Sequence, residues 1–300
     1  QERPLTGRTA MIFRQMYKEK YMRFPGGLAK AATFSYDDGV KTDLRLIGIF
    51  EKYGLKGTFN LNSLLFDCEN WHGRMDERQT YDAFSKCGQE IAVHGARHLF
   101  LNKVSLPEAI CEIADCRAYL ENKFERIVTG MAYAYNGYNA DIMRALADLG
   151  ISYARTTTPT YSFALPENFL EWNPTCHHGD MRLAELADKF INSSPSDELK
   201  CREPWLLYVW GHSYEFEDND NWDIIEGLAQ RLSKSKDVWF ATNGQICEYV
   251  RAYDSLVFSL DGERVYNPSA LPVWIELRGR TYKIGAGESV MFDRQKQLEE

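Results

Sequence analysis

The sequence predicts an α/β protein in which βα units surround a largely parallel sheet or barrel, followed by a small antiparallel β appendage. Three observations predict it. From Ala29 to about Tyr253, short β-type runs alternate with helical patterns. Beyond Tyr253 the pattern becomes period-2 alternation broken by "DG", "RG" and "GAG" turns, without helical spacing. The composition, 44% hydrophobic and 26% charged over 300 residues, suits a chain that buries a large core.

The elements follow in order. "KAATFSY" is an apolar β run that opens the first unit. "TDLRLIGIFEKYG" places Leu44, Ile47 and Phe50 at helical spacing and stops at Gly54. "GTFNLN", "QEIAVHG", "RIVTGMAYAY", "ISYARTT", "PWLLYVWGH" and "DVWFAT" are the later strands. Between and after them, "DERQTYDAFSKC", "SLPEAICEIADCRAYLENKF", "ADIMRALADLG", "DMRLAELADKFIN", "NWDIIEGLAQRLSKS" and "NGQICEYVRAY" read as helices. The expected division is an N-terminal extension over 1–28, a barrel over 29–253, and an appendage with a charged tail over 254–300, packed on the barrel.

A formal net charge of -8, with no cluster of Lys and Arg, excludes a nucleic-acid-binding surface. No apolar run reaches the roughly 18 residues that span a bilayer. Seven scattered cysteines without a CxxC pair signal neither a disulfide framework nor a thiolate zinc site. They point to a reducing, cytoplasmic setting, as does a polar N-terminus without a leader's apolar core. A chain beginning at Gln1 leaves export after removal of a leader as the alternative. Nothing in the sequence sets the oligomeric state.

Strands in such an architecture deliver functional side chains at their C-terminal ends. The first ends in "SYDDG", with Asp37 and Asp38 side by side, and the third ends at His94 with His98 four residues on. Two neutral imidazoles and a carboxylate with an open position suit a catalytic divalent ion: Zn²⁺ first, with Co²⁺ or Ni²⁺ satisfying the same ligand types. A cation would also make the adjacent aspartates tolerable, one binding it and the other accepting a proton from water. His212, at the end of "WLLYVW", is a candidate general acid, because imidazole titrates nearest neutrality.

"TFSYDDG", "HGARH", "AYAYNGY" and "LYVWGHSYEF", in this order across roughly residues 30 to 252, resemble the polysaccharide deacetylases of the NodB-homology class, carbohydrate esterase family 4. The resemblance implies a distorted (β/α) barrel of about seven units. It implies that Asp37 is the base, that Asp38, His94 and His98 are the metal ligands, that Tyr135 donates its backbone N–H to an oxyanion, and that His212 is the acid. The third motif departs from the usual Arg-x-Pro-Tyr, because Ala132 stands where the arginine that orients the base belongs. Arg155, at the end of the next strand, is the expected substitute partner of Asp37. In "LEWNPTCHHGD", Trp172 is expected to wall the cleft and His177 and His178 to bond saccharide hydroxyls; Trp210 and Asn62 are further substrate-binding candidates.

The expected activity is metal-dependent removal of acetyl groups from a saccharide, N-acetyl ahead of O-acetyl, with acetate released. The rivals are a related barrel hydrolase that opens a cyclic amide or ureide, and a non-catalytic carbohydrate-binding protein on the same scaffold.

Overall fold

The computed structural model describes residues 20–66, 68, 72–197 and 202–292, so most of the N-terminal extension, Cys201 and the charged tail lie outside the described residues. In chain order the strands are β1 (Lys20–Arg23), β2 (Lys30–Asp37), β3 (Gly57–Leu61), β4 (Glu90–Val93), β5 (Gly130–Ala132), β6 (Tyr153–Arg155), β7 (Cys176–His177), β8 (Trp205–Gly211), β9 (Val238–Phe240), β10 (Val257–Phe258), β11 (Arg264–Tyr266), β12 (Val273–Leu277), β13 (Arg280–Ile284) and β14 (Ser289–Met291). The chain divides into two compact units.

The larger unit comprises Ala31–Ser194 and Trp205–Cys247. Its sheet runs in the order β6-β5-β4-β3-β2-β8-β7, with β9 also pairing to β2. The pairs from β2 through β6 are parallel, as the βα alternation predicts. All eight residues of β2 are buried, which explains its unbroken apolar run: helices cover one face of such a strand and the barrel interior covers the other. The helix Asp43–Tyr53 buries Leu46, Ile47, Ile49 and Phe50 and stops at Gly54, whose φ of 70° is the left-handed cap that glycine permits. Helix Glu77–Phe84 starts in a capping box between Asp76 and Gln79, and Leu106–Phe124 starts on the Ser105 side chain. Gly57 must lack a side chain, because a Cβ there would sit 2.7 Å from the Phe50 ring.

Two predicted elements shorten or change. "RIVTGMAYAY" is extended only over Gly130–Ala132 and then tightens into a 3₁₀ turn, Ala134–Asn136. In "LEWNPTCHHGD", Trp172 and Cys176–His177 belong to the sheet. Trp172 donates to the Ala154 carbonyl and accepts from the Thr156 N–H, both at 3.0 Å, while β7 pairs in parallel with β8. One run of chain therefore carries the sheet from β6 round to β8. Among the described residues no helix is long and apolar enough to cross a membrane.

The smaller unit gathers the described residues before Ala31, those within 195–204, and those after Cys247. It contains two three-stranded antiparallel sheets, β1-β12-β13 and β10-β11-β14. Arg23 on β1 pairs with Glu276 on β12 at 2.9 Å, and the Tyr249 hydroxyl donates to the Arg23 carbonyl while accepting the Trp274 N–H. This unit is thus built from both ends of the described chain.

Candidate active site

Asp37 and Asp38 stand at the C-terminal end of β2, and the backbone reverses there: Asp38 has φ 85° and Gly39 φ 66°. The parallel register sets Asp37 beside Asn60, whose amide donates 2.8 Å to Asp37 Oδ1. Arg155 forms a buried ion pair with Asp37 Oδ2, and its guanidinium lies 4.4 Å over the Trp210 ring. The register also explains how β6 supplies this arginine: Ala132 and Arg155 are direct partners across β5 and β6, so a side chain from either position starts beside the other. Burial alone would raise the Asp37 carboxyl; the guanidinium, then His94 and His212, overcome it and hold Asp37 down to about 2.

Asp38 shares His94 and His212 with Asp37 but has its own cationic partner. Its Oδ1 is 3.0 Å from Arg74, 3.7 Å from His98 Nε2 and 4.0 Å from His94 Nε2. Burial raises this carboxyl too, and His94, Arg74 and His98 bring it below its usual value. Arg74 also donates to the Asp38 carbonyl and to Asn62 Oδ1, and the neighbouring Met75 N–H donates to the Gly39 carbonyl, so the turn is clamped from outside β2.

The tautomer of His94 follows from its partner. Its Nδ1 lies 2.9 Å from the Ala132 carbonyl, which can only accept, so Nδ1 carries the proton and Nε2 turns a lone pair toward Asp38 and His98. His98 Nε2 is 3.1 Å from His94 Nε2. Burial, and then His94 beside it, push His98 down to about 4, which keeps it neutral at pH 7. The ligand atoms of Asp38, His94 and His98 lie within 4.8 Å of one another. Glu112, buried on the helix Leu106–Phe124, accepts both the backbone N–H and the Nε of Arg97 and so fixes the loop between the two histidines.

His212 emerges from β8 with Nε2 3.9 Å from Oδ2 of both Asp37 and Asp38. Its Nδ1 is 3.1 Å from Glu215 Oε1, and Glu215 Oε2 takes His177 Nε2 at 3.0 Å and His178 Nε2 at 2.9 Å. Burial would lower His212; the Glu215 bond and the two aspartates reverse this and raise it, favouring a protonated ring. His177, His212 and Glu215 also come within 4.8 Å of one another, yet this second cluster differs from the first. His177 Nδ1 accepts the Gly179 N–H at 3.0 Å, which puts the proton on Nε2, 3.0 Å from Glu215 Oε2, and leaves that nitrogen no lone pair for a metal.

The structure thus brings Asp37, Asp38, His94, His98, Arg155 and His212 together and corrects four substrate-binding expectations. Trp172 is 1% exposed and packs edge-on against Tyr153, Phe169 and Tyr208, so it is core and walls no cleft. His177 and His178 spend their Nε2 atoms on Glu215, and His178 is buried between Tyr36 and Phe216, filling the space a Cβ on Gly211 would need. Asn62 is buried, its amide on the His94 and Gly95 carbonyls and its oxygen on Arg74, so it ties loops together. Trp210 is half-buried beneath Arg155 and beside His212, within the site itself. Tyr135 sits beside His98 with ring centroids 4.4 Å apart.

Sequence reasoning missed Arg74, Glu215 and Asp43. Glu215 had a local signal, three residues beyond His212 at the start of a helix. Asp43 is fully buried, bonded to Ser213 Oγ and to the Val40 N–H, and so ties the aspartate turn to the residue after His212. Burial pushes its carboxyl up to about 8, with Asp38 and Asp37 adding to the rise against the Ser213 bond. A carboxyl raised in the folded state contributes stability that is full below its unfolded value of about 3.9 and fades as pH climbs toward 8. Asp43→Asn, which substitutes an amide for the protonated carboxyl, is expected to flatten this decline. Urea unfolding of both proteins from pH 4 to pH 8 measures it; parallel curves would refute the assignment.

The polysaccharide deacetylase family profile matches residues 25–154. YxkH of Bacillus subtilis (strain 168), a candidate polysaccharide deacetylase, is 24% identical over 131 residues, covering 43% of this chain and 46% of that protein; the match spans less than half of either. Among solved structures, a candidate polysaccharide deacetylase from Mycobacterium smegmatis shares the fold with a TM-score of 0.53 at 20% identity, covering 78% of this chain and 94% of that one. Peptidoglycan deacetylase PdaC from Bacillus subtilis gives 0.50 at 16% identity, covering 76% and 94%. With the parallel barrel sheet and the ordered aspartate and histidine motifs already in place, the chain is similar to the polysaccharide deacetylases over residues 25–154 and shares their fold.

Proposed function

We propose that this chain is a metal-dependent hydrolase that removes acetyl groups from a saccharide, N-acetyl ahead of O-acetyl, and releases acetate. The observation that supports this best is the His94 tautomer: with Nδ1 committed to a carbonyl, Nε2 offers a lone pair beside His98 Nε2 and Asp38 Oδ1. That donor set fits a divalent ion of borderline softness, Zn²⁺ first and Co²⁺ or Ni²⁺ by the same criterion. When bound, such an ion polarises the acetyl carbonyl and lowers the pKa of a water. Asp37, kept ionised by Arg155, accepts the proton of the attacking water. The Tyr135 N–H donates to the oxyanion that develops beside His98. His212, its Nδ1 held by Glu215, delivers the Nε2 proton to the departing amine or alcohol.

The test is acetate release from a panel of N- and O-acetylated saccharides, with metal stripped and then restored. Activity should fall to background on chelation and return with Zn²⁺. Full activity after chelation, or no acetate from any saccharide, would overturn the reading.

A further inference from the structure

His72 reaches the site from the connection between β3 and the helix Glu77–Phe84, and it meets the chain just beyond His212 in two places. Its ring lies face to face with Tyr214, centroids 3.5 Å apart at an interplanar angle of 13°, and its Nδ1 is 3.6 Å from Asp218 Oδ2. Tyr214 and Asp218 are the first and last residues of a five-residue helix, one turn apart and so on the same face. His72 therefore spans the whole helix. A helix this short cannot hold itself, because its nucleation costs more than one turn of hydrogen bonds returns. Phe216 anchors one side of it in the core, against His178 and Trp222, and His72 grips the opposite side.

This helix supplies two contacts to the imidazole of His212. Glu215 Oε1 lies 3.1 Å from His212 Nδ1, and the Tyr214 ring centroid lies 5.1 Å from that of His212 at 30°. A hydrogen bond at Nδ1 fixes one corner of the imidazole and leaves the ring free to tip about it. Nε2, at the far side, then moves the most, and the flanking rings restrict that movement. Trp210 meets His212 edge-on and is itself backed by Arg155; Tyr214 is backed by His72. His72 stands on a fixed base. The next residues pair with the turn that follows the two aspartates: the Lys41 N–H donates to the Gly73 carbonyl at 2.9 Å and the Met75 N–H to the Gly39 carbonyl at 3.0 Å. We infer that His72 is a positioning residue for His212: through Tyr214 and the short helix it holds the imidazole Nε2 toward the aspartates, where a leaving group receives its proton. This rests on the reading of His212 as the acid for its effect on the reaction, though not for its hold on the ring.

The experiment compares wild type, His72→Ala, His72→Leu and His72→Phe on an N-acetylglucosamine trimer and on 4-nitrophenyl acetate, whose phenolate departs without a proton. An acid out of place harms only the leaving group that needs it. His72→Ala should therefore lower kcat on the trimer about tenfold, with KM kept and the aryl ester hydrolysed as by wild type. His72→Leu, which fills the space without a flat ring, should match the alanine variant, and His72→Phe, which can still stack on Tyr214, should recover most of the loss. Proton NMR of the same proteins as purified reads the ring directly. The His212 Nδ1–H, assigned by its loss in His212→Asn, should give a resolved downfield signal in wild type that broadens in the alanine and leucine variants and returns in the phenylalanine variant. An equal fall on both substrates, or a signal unchanged across the four proteins, overturns the role. If wild type releases no acetate while the signal still broadens and returns, the positioning stands and the reaction assignment fails.

Discussion

Asp37→Asn is expected to reduce acetate release by about 10²- to 10⁴-fold, the range for loss of a positioned general base. The substitution keeps the side chain's size and its place beside Asn60 but removes the one carboxylate that is ion-paired by Arg155 and free of Arg74. Asp38, His94 and His98 are untouched, so metal stoichiometry should remain that of wild type when the two proteins are loaded in parallel. That pairing of results separates the two aspartates: a variant that loses both activity and metal would assign Asp37 to the ion rather than to the proton. His212 sits 3.9 Å from each carboxylate and cannot replace the base, because its own environment favours the protonated form.

Arg155→Met should cost about 3–5 kcal/mol of folding stability, the penalty for leaving a buried charge without its partner. Arg155 is completely buried, and so is the carboxylate it would abandon. Adding Asp37→Asn to the same chain should recover part of the loss, a coupling that urea unfolding of the two single variants and the double variant reads directly. The sign of the pH effect is fixed as well. Asp37 is held at about 2, so in wild type it contributes stability above the unfolded value of about 3.9 and loses it as pH falls toward 2. Without the guanidinium, burial dominates and raises the carboxyl. The acidic limb of kcat/KM should then move to higher pH, because the base works only when ionised. A limb that stays in place would mean that His94 and His212 suffice to hold it.

Arg155 also shows how much of this site was legible in the sequence. Strand ends could be read from apolar runs, and functional side chains gather at strand ends, so Asp37, Asp38, His94, Arg155 and His212 were all found on their own elements. The substitution of Arg155 for the family's arginine could be suspected because it closes the next strand, and the register of β5 and β6 supplies the reason. Trp172 could not be placed, because an aromatic residue in an aperiodic stretch looks the same whether it faces a cleft or a core. The histidine pair misled for a different reason: what His177 and His178 do depends on Glu215, some forty residues away in the sequence. Arg74 reaches Asp38 from a connection whose course no periodicity predicts.

The run from Trp172 to His177 is bonded at one end to the backbone on either side of Arg155, and at the other it sets the histidines that hold Glu215 against His212. It therefore acts as a gauge. Its two anchored ends, the Trp172 bridge beside β6 and the pairing of β7 with β8, fix where the arginine that serves the base and the carboxylate that serves the acid stand relative to one another. The loop between Thr156 and Glu171 braces that measure: the Thr160 and Tyr161 N–H groups donate to the Pro174 and Thr175 carbonyls, so rebuilding the loop would loosen the spacing between proton acceptor and proton donor.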